Sequence, residues 1–364
     1  MRVAWIVPGG VGPDPRAPGM PVIRWISEEL AERCPLFVYG LFDSPRRTHR
    51  FGTATVRQLG RSGTATALAS VLRALQRDGP FDVVHGFWAT TPGLVAALAA
   101  WKTGALSVIT LAGGELTRID DIGYGEQRRV RSRAKVSLSL ALADAVTAAT
   151  PALQRTARAF GVSAELIPLG ARRFPTPRVD RFPEPSLLAV GSLNRVKDHR
   201  TLLCATRLIR SEIPELRLDI VGEDTLGGET QRSALELGLG DCVRFRGHVP
   251  PDELQSYYAR ADLLVHTSRH EAGPLVVLEA AQHGVPTVGS SVGHIEEWSP
   301  HAALAVPNSD PPALANAILA LLRDPERRAK LGESARRIAR AQDAAFSARA
   351  FESLYEELQR RRRT

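Results

Sequence analysis

Short apolar runs alternate with longer amphipathic stretches along the first half of the chain. A short apolar run bounded by turn residues indicates a strand, and apolar positions with helical periodicity indicate a helix. On this basis we predict strands at residues 3–7, 36–39, 82–85 and 107–111, and helices at 21–33, 64–77, 92–102 and 124–142, the last one basic and amphipathic. Strands that alternate with helices predict a parallel sheet covered on both faces, as in a Rossmann-like domain.

Residues 171–185 break this pattern with prolines and spaced arginines, which is typical of a linker between domains. The alternation then resumes, with strands predicted at 187–190, 217–221, 243–246 and 263–265 and helices at 200–213, 230–237, 252–260, 311–323 and 325–342. A chain of 364 residues suits two domains of about 150–200 residues each. We therefore predict an α/β protein with two doubly wound Rossmann-like domains, residues 1–170 and 186–344, and ligand-binding loops at the C-terminal strand ends in a cleft between them.

The segment ADLLVHTSRHEAGPLVVLEAAQHGVPTVG carries the clearest local signal. An apolar strand leads into a polar loop that holds Glu271, and Gly273 and Pro274 then open a helix that ends at a Gly-x-Pro stop. Proline suits a first helical turn, and glycine lets a phosphate approach the backbone. The free N–H groups of Leu275 and Val276, at the positive end of the helix dipole, predict a pyrophosphate site.

Glu279 lies inside the same predicted helix, eight positions after Glu271. Carboxylates repel a diphosphate, so we predict that these two accept hydrogen bonds from sugar hydroxyls, one from a ribose and one from a transferred sugar. Two glutamates at this spacing alone are more often a loop charge and a solvated helix residue. The strand, Gly-Pro and Gly-x-Pro signals around them favour the site.

A second loop of the same domain follows the strand predicted at 187–190. Gly191 allows a tight turn there, and Arg195 and Lys197 place positive charge beside the predicted diphosphate. The alternative for this pair is a surface position at the start of a helix.

Three residues of the first domain are candidates for an acceptor side. His85 and Trp88 follow an apolar run at the end of a predicted strand, and Glu115 lies in a loop after two glycines. Aromatic rings and a carboxylate suit a sugar or a lipid head group. A structural hydrogen-bonding role for His85 remains the alternative, because a single histidine more often has that role.

Composition narrows the class of protein. With 44% hydrophobic and 24% charged residues, the chain has the composition of a soluble globular protein. No run approaches the ~20 apolar residues that span a bilayer, and the N-terminus resembles a first strand and not an export signal. The three scattered cysteines fit a reducing compartment. We therefore predict a cytoplasmic protein. Part of the net charge of +8 lies in the basic runs 127–135 and 360–364, which can attract an anionic membrane at its surface. The alternative, which is more common for such runs, is a solvated helix face and a helix C-terminus stabilised by the helix dipole. No nucleic-acid motif accompanies them, so nucleic acid is not an expected partner.

The segment that contains Glu271 and Glu279 resembles the EX7E signature of retaining GT-B glycosyltransferases, and the pattern S-x-x-E-x-x-P-L-V-x-x-E-A resembles that of the family 4 group. The likeness extends over most of the chain. It implies a retaining hexosyltransferase, of EC 2.4 type, that moves a sugar from a nucleotide-diphosphate sugar to a glycan, a glycolipid or a small-molecule acceptor. UDP-sugar is the donor that the family favours, and no metal or cofactor is implied. The resemblance also implies that a last helix, at about 345–364, returns to the first domain.

The resemblance assigns further residues one by one. Lys197 falls on the lysine of the family pattern G-R-L-x-x-x-K-G, and Ser192 replaces its arginine, a charge for which Arg195 is the candidate substitute. The match to V-x-F-x-G-x-V implies that the backbone near Val249 contacts the base, and Gly10 lies in a loop similar to one that meets the donor phosphate. The predicted catalytic residues are Glu271, Lys197 and Arg195; the donor-binding residues are Gly10, Gly191, Ser192, Val249, Gly273, Pro274, Leu275, Val276 and Glu279; and the acceptor-side residues are His85, Trp88 and Glu115.

Two departures from the family pattern keep an alternative open. Ala112 stands where many members have a histidine that contacts the donor sugar, and Ser192 stands at the arginine position. The alternative is a catalytically silent GT-B protein that binds a nucleotide sugar or supports a partner transferase. A dinucleotide cofactor is disfavoured because the glycine-rich loop lacks the G-x-G-x-x-G order. No Asp-x-Asp pair and no His/Cys cluster predicts a metal site.

Overall fold

The computed structural model describes residues 1–16, 19–43 and 45–363. Residues 17, 18, 44 and 364, which include part of the glycine-rich loop and the end of the terminal basic run, lie outside the described residues. The chain divides into two compact units, the first formed by residues 1–172 and 342–364 and the second by 173–341. Both units are α/β and built on largely parallel sheets, so the predicted fold class is confirmed.

The first unit contains an eight-stranded sheet in the order β3-β4-β2-β1-β5-β6-β7-β8. Its strands are β1 Val3–Val7, β2 Leu36–Gly40, β3 Arg47–Phe51, β4 Ala54–Gln58, β5 Val83–Phe87, β6 Leu106–Leu111, β7 Ala145–Ala148 and β8 Glu165–Leu166. The helices between these strands are α1 Pro21–Ala31, α2 Thr64–Asp78, α3 Thr91–Thr103, α4 Val130–Ala141 and α5 Pro151–Ala159. Among the strand pairs of this sheet in the described residues, only that of β3 with β4 is antiparallel.

The second unit contains a six-stranded parallel sheet in the order β11-β10-β9-β12-β13-β14. Its strands are β9 Ser186–Val190, β10 Arg217–Val221, β11 Val243–Phe245, β12 Leu263–His266, β13 Thr287–Ser290 and β14 Ala303–Val306. Its helices are α6 His199–Arg210, α7 Glu229–Glu236, α8 Pro251–Arg260, α9 Leu275–Gln282, α10 Gly293–Trp298, α11 Pro311–Leu322 and α12 Pro325–Ala341. This strand order is that of a Rossmann domain.

The last helix, α13 at Ala344–Arg363, belongs to the first unit and packs against α1. Its Tyr355 is fully buried, and its hydroxyl accepts a hydrogen bond from Nε1 of Trp5 at 3.1 Å. The same oxygen lies 2.6 Å from Nδ1 of His85. Phe351, one turn earlier, packs edge-on against Trp5 and His85, so the helix completes an aromatic core.

One predicted helix begins later than the sequence indicates. The pattern predicts a helix at 124–142, whereas α4 begins at Val130 after a short 3-10 turn at Glu126–Arg128. Gly125 has a φ of 99°, and a Cβ at this position would lie 2.1 Å from the carbonyl oxygen of Thr117. The left-handed backbone of this glycine interrupts the helical path, since helical residues need negative φ.

Candidate functional site

The order of the second sheet places two loops at one crevice. The strand order reverses between β9 and β12, and in such sheets ligands bind outside the carboxyl ends of the strands at that reversal. The loop after β9 carries Lys197, and the loop after β12 carries Glu271. The segment with the clearest signal in the sequence therefore lies at the position where this fold binds ligands.

Gly191 and Asn194 set the course of the loop after β9. Gly191 has a φ of 151°, and a Cβ on it would lie 3.1 Å from Cε of Lys197, so a larger residue would obstruct the lysine side chain. The side chain of Asn194 caps the short turn Arg195–Lys197 by accepting from the backbone N–H of Lys197 at 3.2 Å. These two residues direct the ammonium group toward the crevice.

Lys197 and Glu271 form a short ion pair, with Nζ 2.5 Å from Oε1. The same oxygen accepts from Ser268 Oγ at 2.8 Å and from His266 Nε2 at 3.2 Å. Burial alone would raise the pKa of Glu271, but the charge of Lys197 and the contact with His266 outweigh it and hold that pKa far below its usual range. Glu271 is therefore an ionised carboxylate with at least three donors around one oxygen.

Helix α9 begins directly after this loop. Leu275 is its first residue, and Pro274, with a φ of −69° and a ψ of 112°, is the N-cap. The prediction that Pro274 lies in the first turn is thus off by one position, because its ψ is extended. Among the described residues, no acceptor is found for the N–H groups of Leu275 and Val276. Two unpaired donors at a helix start form a favourable place for an anion.

Glu279 lies inside α9 and is only 5% exposed. The hydroxyl of Tyr258, from α8, donates to its Oε2 at 2.7 Å. Burial raises the pKa of Glu279 to about 7, and the hydrogen bond from Tyr258 opposes only part of this rise. The interpretation of Glu279 as a solvated helix residue is wrong, since the second glutamate is a buried carboxyl that titrates near neutral pH.

Two of the candidates in the first unit are not placed for the predicted roles. The N–H of Gly10 donates to Oδ1 of Asp43 at 2.7 Å, so it is not free to meet a phosphate. His85 is fully buried, with Nδ1 against Tyr355 and Nε2 2.7 Å from Oγ1 of Thr110. Burial lowers the pKa of His85 to about 3, so it is a neutral structural residue and does not line an acceptor site.

The other two lie together at the rim of one cavity. Trp88 and Glu115, with Tyr124, Arg128 and Arg129, line a space of about 340 Å³. Trp88 adopts a φ of 68°, which is rare for a bulky residue. The carboxylate of Glu115 turns back to its own loop and accepts from the N–H groups of Ala112 and Gly113, so the prediction that it binds an acceptor is not supported. Trp88 remains a predicted contact for the acceptor.

Two family models match the chain. The model described as Glycosyl transferase 4-like domain matches residues 16–170, and the model described as Glycosyl transferases group 1 matches residues 179–338. The chain belongs to the family 4 group of GT-B glycosyltransferases. The second match contains both glutamates and Lys197.

Curated relatives of this family member match about half of its chain. D-inositol 3-phosphate glycosyltransferase from Corynebacterium jeikeium is 36% identical over 178 residues, which is 46% of this chain and 42% of the relative. The protein of the same name from Thermobispora bispora is 35% identical over 190 residues, 49% of this chain and 44% of the relative. The chain thus spans less than half the length of the curated relatives that it matches.

Solved structures share the fold of this GT-B protein over almost its whole length. Sucrose-phosphate synthase from Thermosynechococcus elongatus has a TM-score of 0.80 at 23% identity, with 98% of this chain and 99% of that chain covered. HepE from Anabaena, in complex with UDP-glucose, has a TM-score of 0.78 at 18% identity, with 98% and 100% covered.

The remaining predicted residues of this GT-B protein lie around the crevice without joining its ion pair. The side chain of Arg195 is 63% exposed, and a carboxylate oxygen of Glu229 lies 3.8 Å from it. It is an exposed arginine two positions before Lys197, and its substitution for the charge missing at Ser192 stays a prediction. Gly273 lies between Glu271 and the start of α9, and Val249 lies in the loop after β11 at the same carboxyl edge of the sheet.

Sequence reasoning missed four residues that shape the site. Tyr258, His266 and Ser268 hold the two glutamates, and a Cβ on Gly293 would lie 2.7 Å from Cδ of Pro274. Ser268 could have been identified from the sequence, because the family pattern S-x-x-E contains it. Tyr258 and Gly293 come from other elements, and no spacing in the sequence connects them with the glutamates.

Two negative findings apply to the described ranges, 1–16, 19–43 and 45–363. No group of three or more His, Cys, Asp or Glu side chains there is arranged to hold a metal ion. No helix in those ranges combines the length and the apolar character needed to cross a membrane.

Proposed function

We propose that this protein is a retaining hexosyltransferase that moves a sugar from a nucleotide-diphosphate sugar to an acceptor. The observation that carries this proposal is the grouping of Lys197, Glu271 and the unpaired N–H groups of α9 at one crevice, with Glu279 buried in the same helix. A cation and free N–H groups suit a diphosphate, and two carboxylates suit hydroxyl donors. A nucleotide sugar presents both.

Each group then has a distinct task. The diphosphate binds at the N–H groups of Leu275 and Val276 and draws Lys197 toward itself. Glu271, ionised and held in place by Ser268, accepts hydrogen bonds from hydroxyls of the transferred sugar. Glu279 accepts from the ribose. We propose Arg195, which is exposed near Lys197, for outer electrostatic support only.

The proposed mechanism depends on the charges that develop as the sugar leaves the diphosphate. As the bond between the anomeric carbon and the diphosphate oxygen breaks, the carbon gains oxocarbenium-like positive charge and the diphosphate gains negative charge. Lys197 and the start of α9 stabilise that negative charge, and Glu271 stands on the side of the sugar. The departing phosphate accepts the proton of the acceptor hydroxyl, and the new bond forms on the same face, which retains the anomeric configuration. Neither a metal ion nor a cofactor takes part in this proposal.

UDP-sugar is the donor class that we favour. The structure of HepE in complex with UDP-glucose supports this choice, because HepE shares the fold over 98% of this chain. The base would contact the backbone near Val249, in the loop after β11, which leaves the identity of the base to a binding experiment.

We propose a glycan, a glycolipid or a small molecule as the acceptor, with Trp88 as its aromatic contact. We further propose a cytoplasmic protein that touches an anionic membrane surface. Trp101, near the end of α3, is 75% exposed and shares a cavity wall with Arg361 and Arg362 of the terminal basic run. An exposed indole beside positive charge suits an interface with acidic lipids.

Thermal unfolding with UDP-, GDP- and ADP-sugars, and with NAD, tests the donor assignment without added metal. A ligand at ~100 times its dissociation constant adds about 2.7 kcal/mol to the stability of the folded state. We expect one nucleotide class to raise the melting temperature of the wild type, a smaller rise in Glu279→Gln and Lys197→Gln, and an unchanged rise in Glu236→Gln, whose exposed side chain lies in α7.

An assay of diphosphate release separates the enzyme from the silent alternative. Release that depends on Lys197 supports the transferase. Binding of a nucleotide sugar without release or transfer would favour a binding protein, for which the replacements at Ala112 and Ser192 supply a reason. No response to any nucleotide sugar would refute the proposal.

A further inference from the structure

A basic pocket lies in the first unit, and none of its lining residues belongs to the donor site proposed above. It is bounded by the β3–β4 hairpin and by α2, and its volume is about 440 Å³, within the range of small-molecule sites. Five arginines line it: Arg46, Arg47, Arg57, Arg73 and Arg77. They define what we call the five-arginine pocket.

Hydrogen bonds hold two of the side chains of the five-arginine pocket, Arg57 and Arg77, in place. Nε and Nη2 of Arg57 donate to the two carboxylate oxygens of Asp78 at 2.7 and 2.8 Å, and Nη1 donates to Oγ1 of Thr48 at 3.0 Å. Arg77 and the hydroxyl of Tyr39 donate to the same carboxylate. Burial raises the pKa of Asp78, but these hydrogen bonds outweigh it and lower that pKa below its usual value. The side of the pocket that contains Arg57 and Arg77 is therefore a preformed charged network around Asp78.

The positive charges of the remaining three arginines are not paired with carboxylates in the described part of the chain. In the described part of the chain, Arg46, Arg47 and Arg73 have no carboxylate partner, and Asp78 is the single carboxylate paired with the other two. Arg46 lies against Gly60, where a Cβ would be 3.2 Å from its Nε. Arg73 donates to the carbonyl oxygen of Ala69 at 3.3 Å. Five like charges around one space repel each other unless an anion offsets them.

We propose that the five-arginine pocket binds a ligand with two or more phosphate groups. Guanidinium groups match phosphate oxygens by bidentate hydrogen bonds, and they are more weakly hydrated than ammonium groups. A phosphate monoester carries about −1.5 to −2 charges at pH 7, so at least two such groups are needed to balance the net charge of four that remains after Asp78 offsets one of the five arginines. The hydroxyls of Thr48 and Ser70 at the wall add neutral donors. The ligand is a free polyphosphate ester or the phosphate head group of an acidic lipid.

Calorimetric titration with inorganic tripolyphosphate tests this site. We compare the wild type with the double variant Arg46→Gln/Arg73→Gln, whose exposed side chains form no ion pair among the described residues, so the fold should persist. The matched control is Arg158→Gln, at the exposed end of α5 and near the opposite edge of the same sheet. Each lost arginine should weaken binding about tenfold, because each makes a charge-assisted hydrogen bond.

A third variant separates this site from the donor site. Tripolyphosphate can also bind at Lys197, so binding at the five-arginine pocket must persist in Lys197→Gln and be lost in Arg46→Gln/Arg73→Gln. Equal affinity of the wild type and the double variant, or no binding by the wild type, would overturn the proposal, whatever the fate of the donor assignment.

Vesicles distinguish the two sources of phosphate. Phosphatidylcholine vesicles with a minor fraction of phosphatidylinositol bisphosphate, whose head group carries two phosphate monoesters, are sedimented with each variant. Cosedimentation that Arg46→Gln/Arg73→Gln abolishes and Arg158→Gln retains assigns the ligand to a lipid head group. Binding of tripolyphosphate without such cosedimentation assigns a free phosphate ester.

Discussion

Replacing Glu279 by glutamine should raise the free energy of unfolding of the ligand-free protein, and the increase should be larger at high pH. The pKa of Glu279 rises from 4.5 to about 7 on folding because the carboxyl is buried. A carboxyl whose folded pKa is raised contributes stability that is complete below pH ~4.5 and is lost as the pH rises through ~7. Glutamine is neutral at every pH and can still accept from Tyr258, so the variant does not lose that contribution.

The size of the effect follows from the two pKa values. At 1.36 kcal/mol per pH unit, the wild type loses about 1 kcal/mol by about pH 5.5 and about 3 kcal/mol by about pH 8.5. The advantage of Glu279→Gln should therefore grow by about 2 kcal/mol between these conditions. Urea denaturation at both pH values, followed by circular dichroism, measures the free energy of unfolding.

A control and a refutation accompany this experiment. Glu236→Gln removes an exposed carboxyl at the end of α7 and should leave the pH dependence as in the wild type. If Glu279→Gln is less stable than the wild type by the same amount at both pH values, the carboxyl is not a poorly compensated buried charge. A variant that is more stable and yet binds nucleotide sugar less tightly would show a site maintained at a cost in stability.

Three further substitutions test the site and its scaffold. Lys197→Gln should slow diphosphate release on the order of 100-fold, because a cation at the leaving group is lost; a coupled assay measures the rate, and a loss below about threefold would contradict the assigned role. Tyr258→Phe removes the donor to Glu279 and should lower the free energy of unfolding in urea by about 1–3 kcal/mol, with a larger loss above pH ~7, where that carboxylate is charged; equal losses at low and high pH would argue against the contact. Tyr355→Phe leaves two buried partners in the first unit unsatisfied and should cost about 1–3 kcal/mol in the same assay, while the ligand-induced shift in melting temperature stays as in the wild type; a reduced shift would show that this helix takes part in donor binding.

Regular elements were predictable where local signals agree. The segment around Glu271 contains an apolar strand, a Gly-Pro helix start and a Gly-x-Pro stop, and the structure has β12, α9 and β13 there. The hairpin β3–β4 was not predicted, because β3 reads RTHRF at a sheet edge and lacks a buried apolar run. Strand β7 and helix α5 were also missed: β7 reads AVTA, without bulky apolar residues, and α5 is amphipathic but only nine residues long.

Side-chain roles were less predictable than elements, because they depend on partners distant in the sequence. All five residues of β5 are buried, so the position of His85 at a strand end did not indicate exposure. Its two hydrogen-bond partners lie 25 and 270 positions away. Gly10 lies in the expected type of loop, but Asp43, 33 positions on, occupies its N–H. A pattern within one loop does not report such contacts.

The two glutamates show why spacing alone does not assign chemistry. Both are carboxyls of one short segment, and burial raises the pKa of each. Lys197 and His266 reverse that effect at Glu271, whereas Glu279 has only the neutral hydroxyl of Tyr258, and its pKa stays raised, at about 7. The ionised carboxylate is therefore next to the cation that a diphosphate would attract, and the carboxyl with the raised pKa is the one to which a ribose hydroxyl would have to donate a further hydrogen bond. The difference between the two sites arises from Lys197 and Tyr258, which belong to other elements, and a ligand that carries both a diphosphate and hydroxyls satisfies both environments at once.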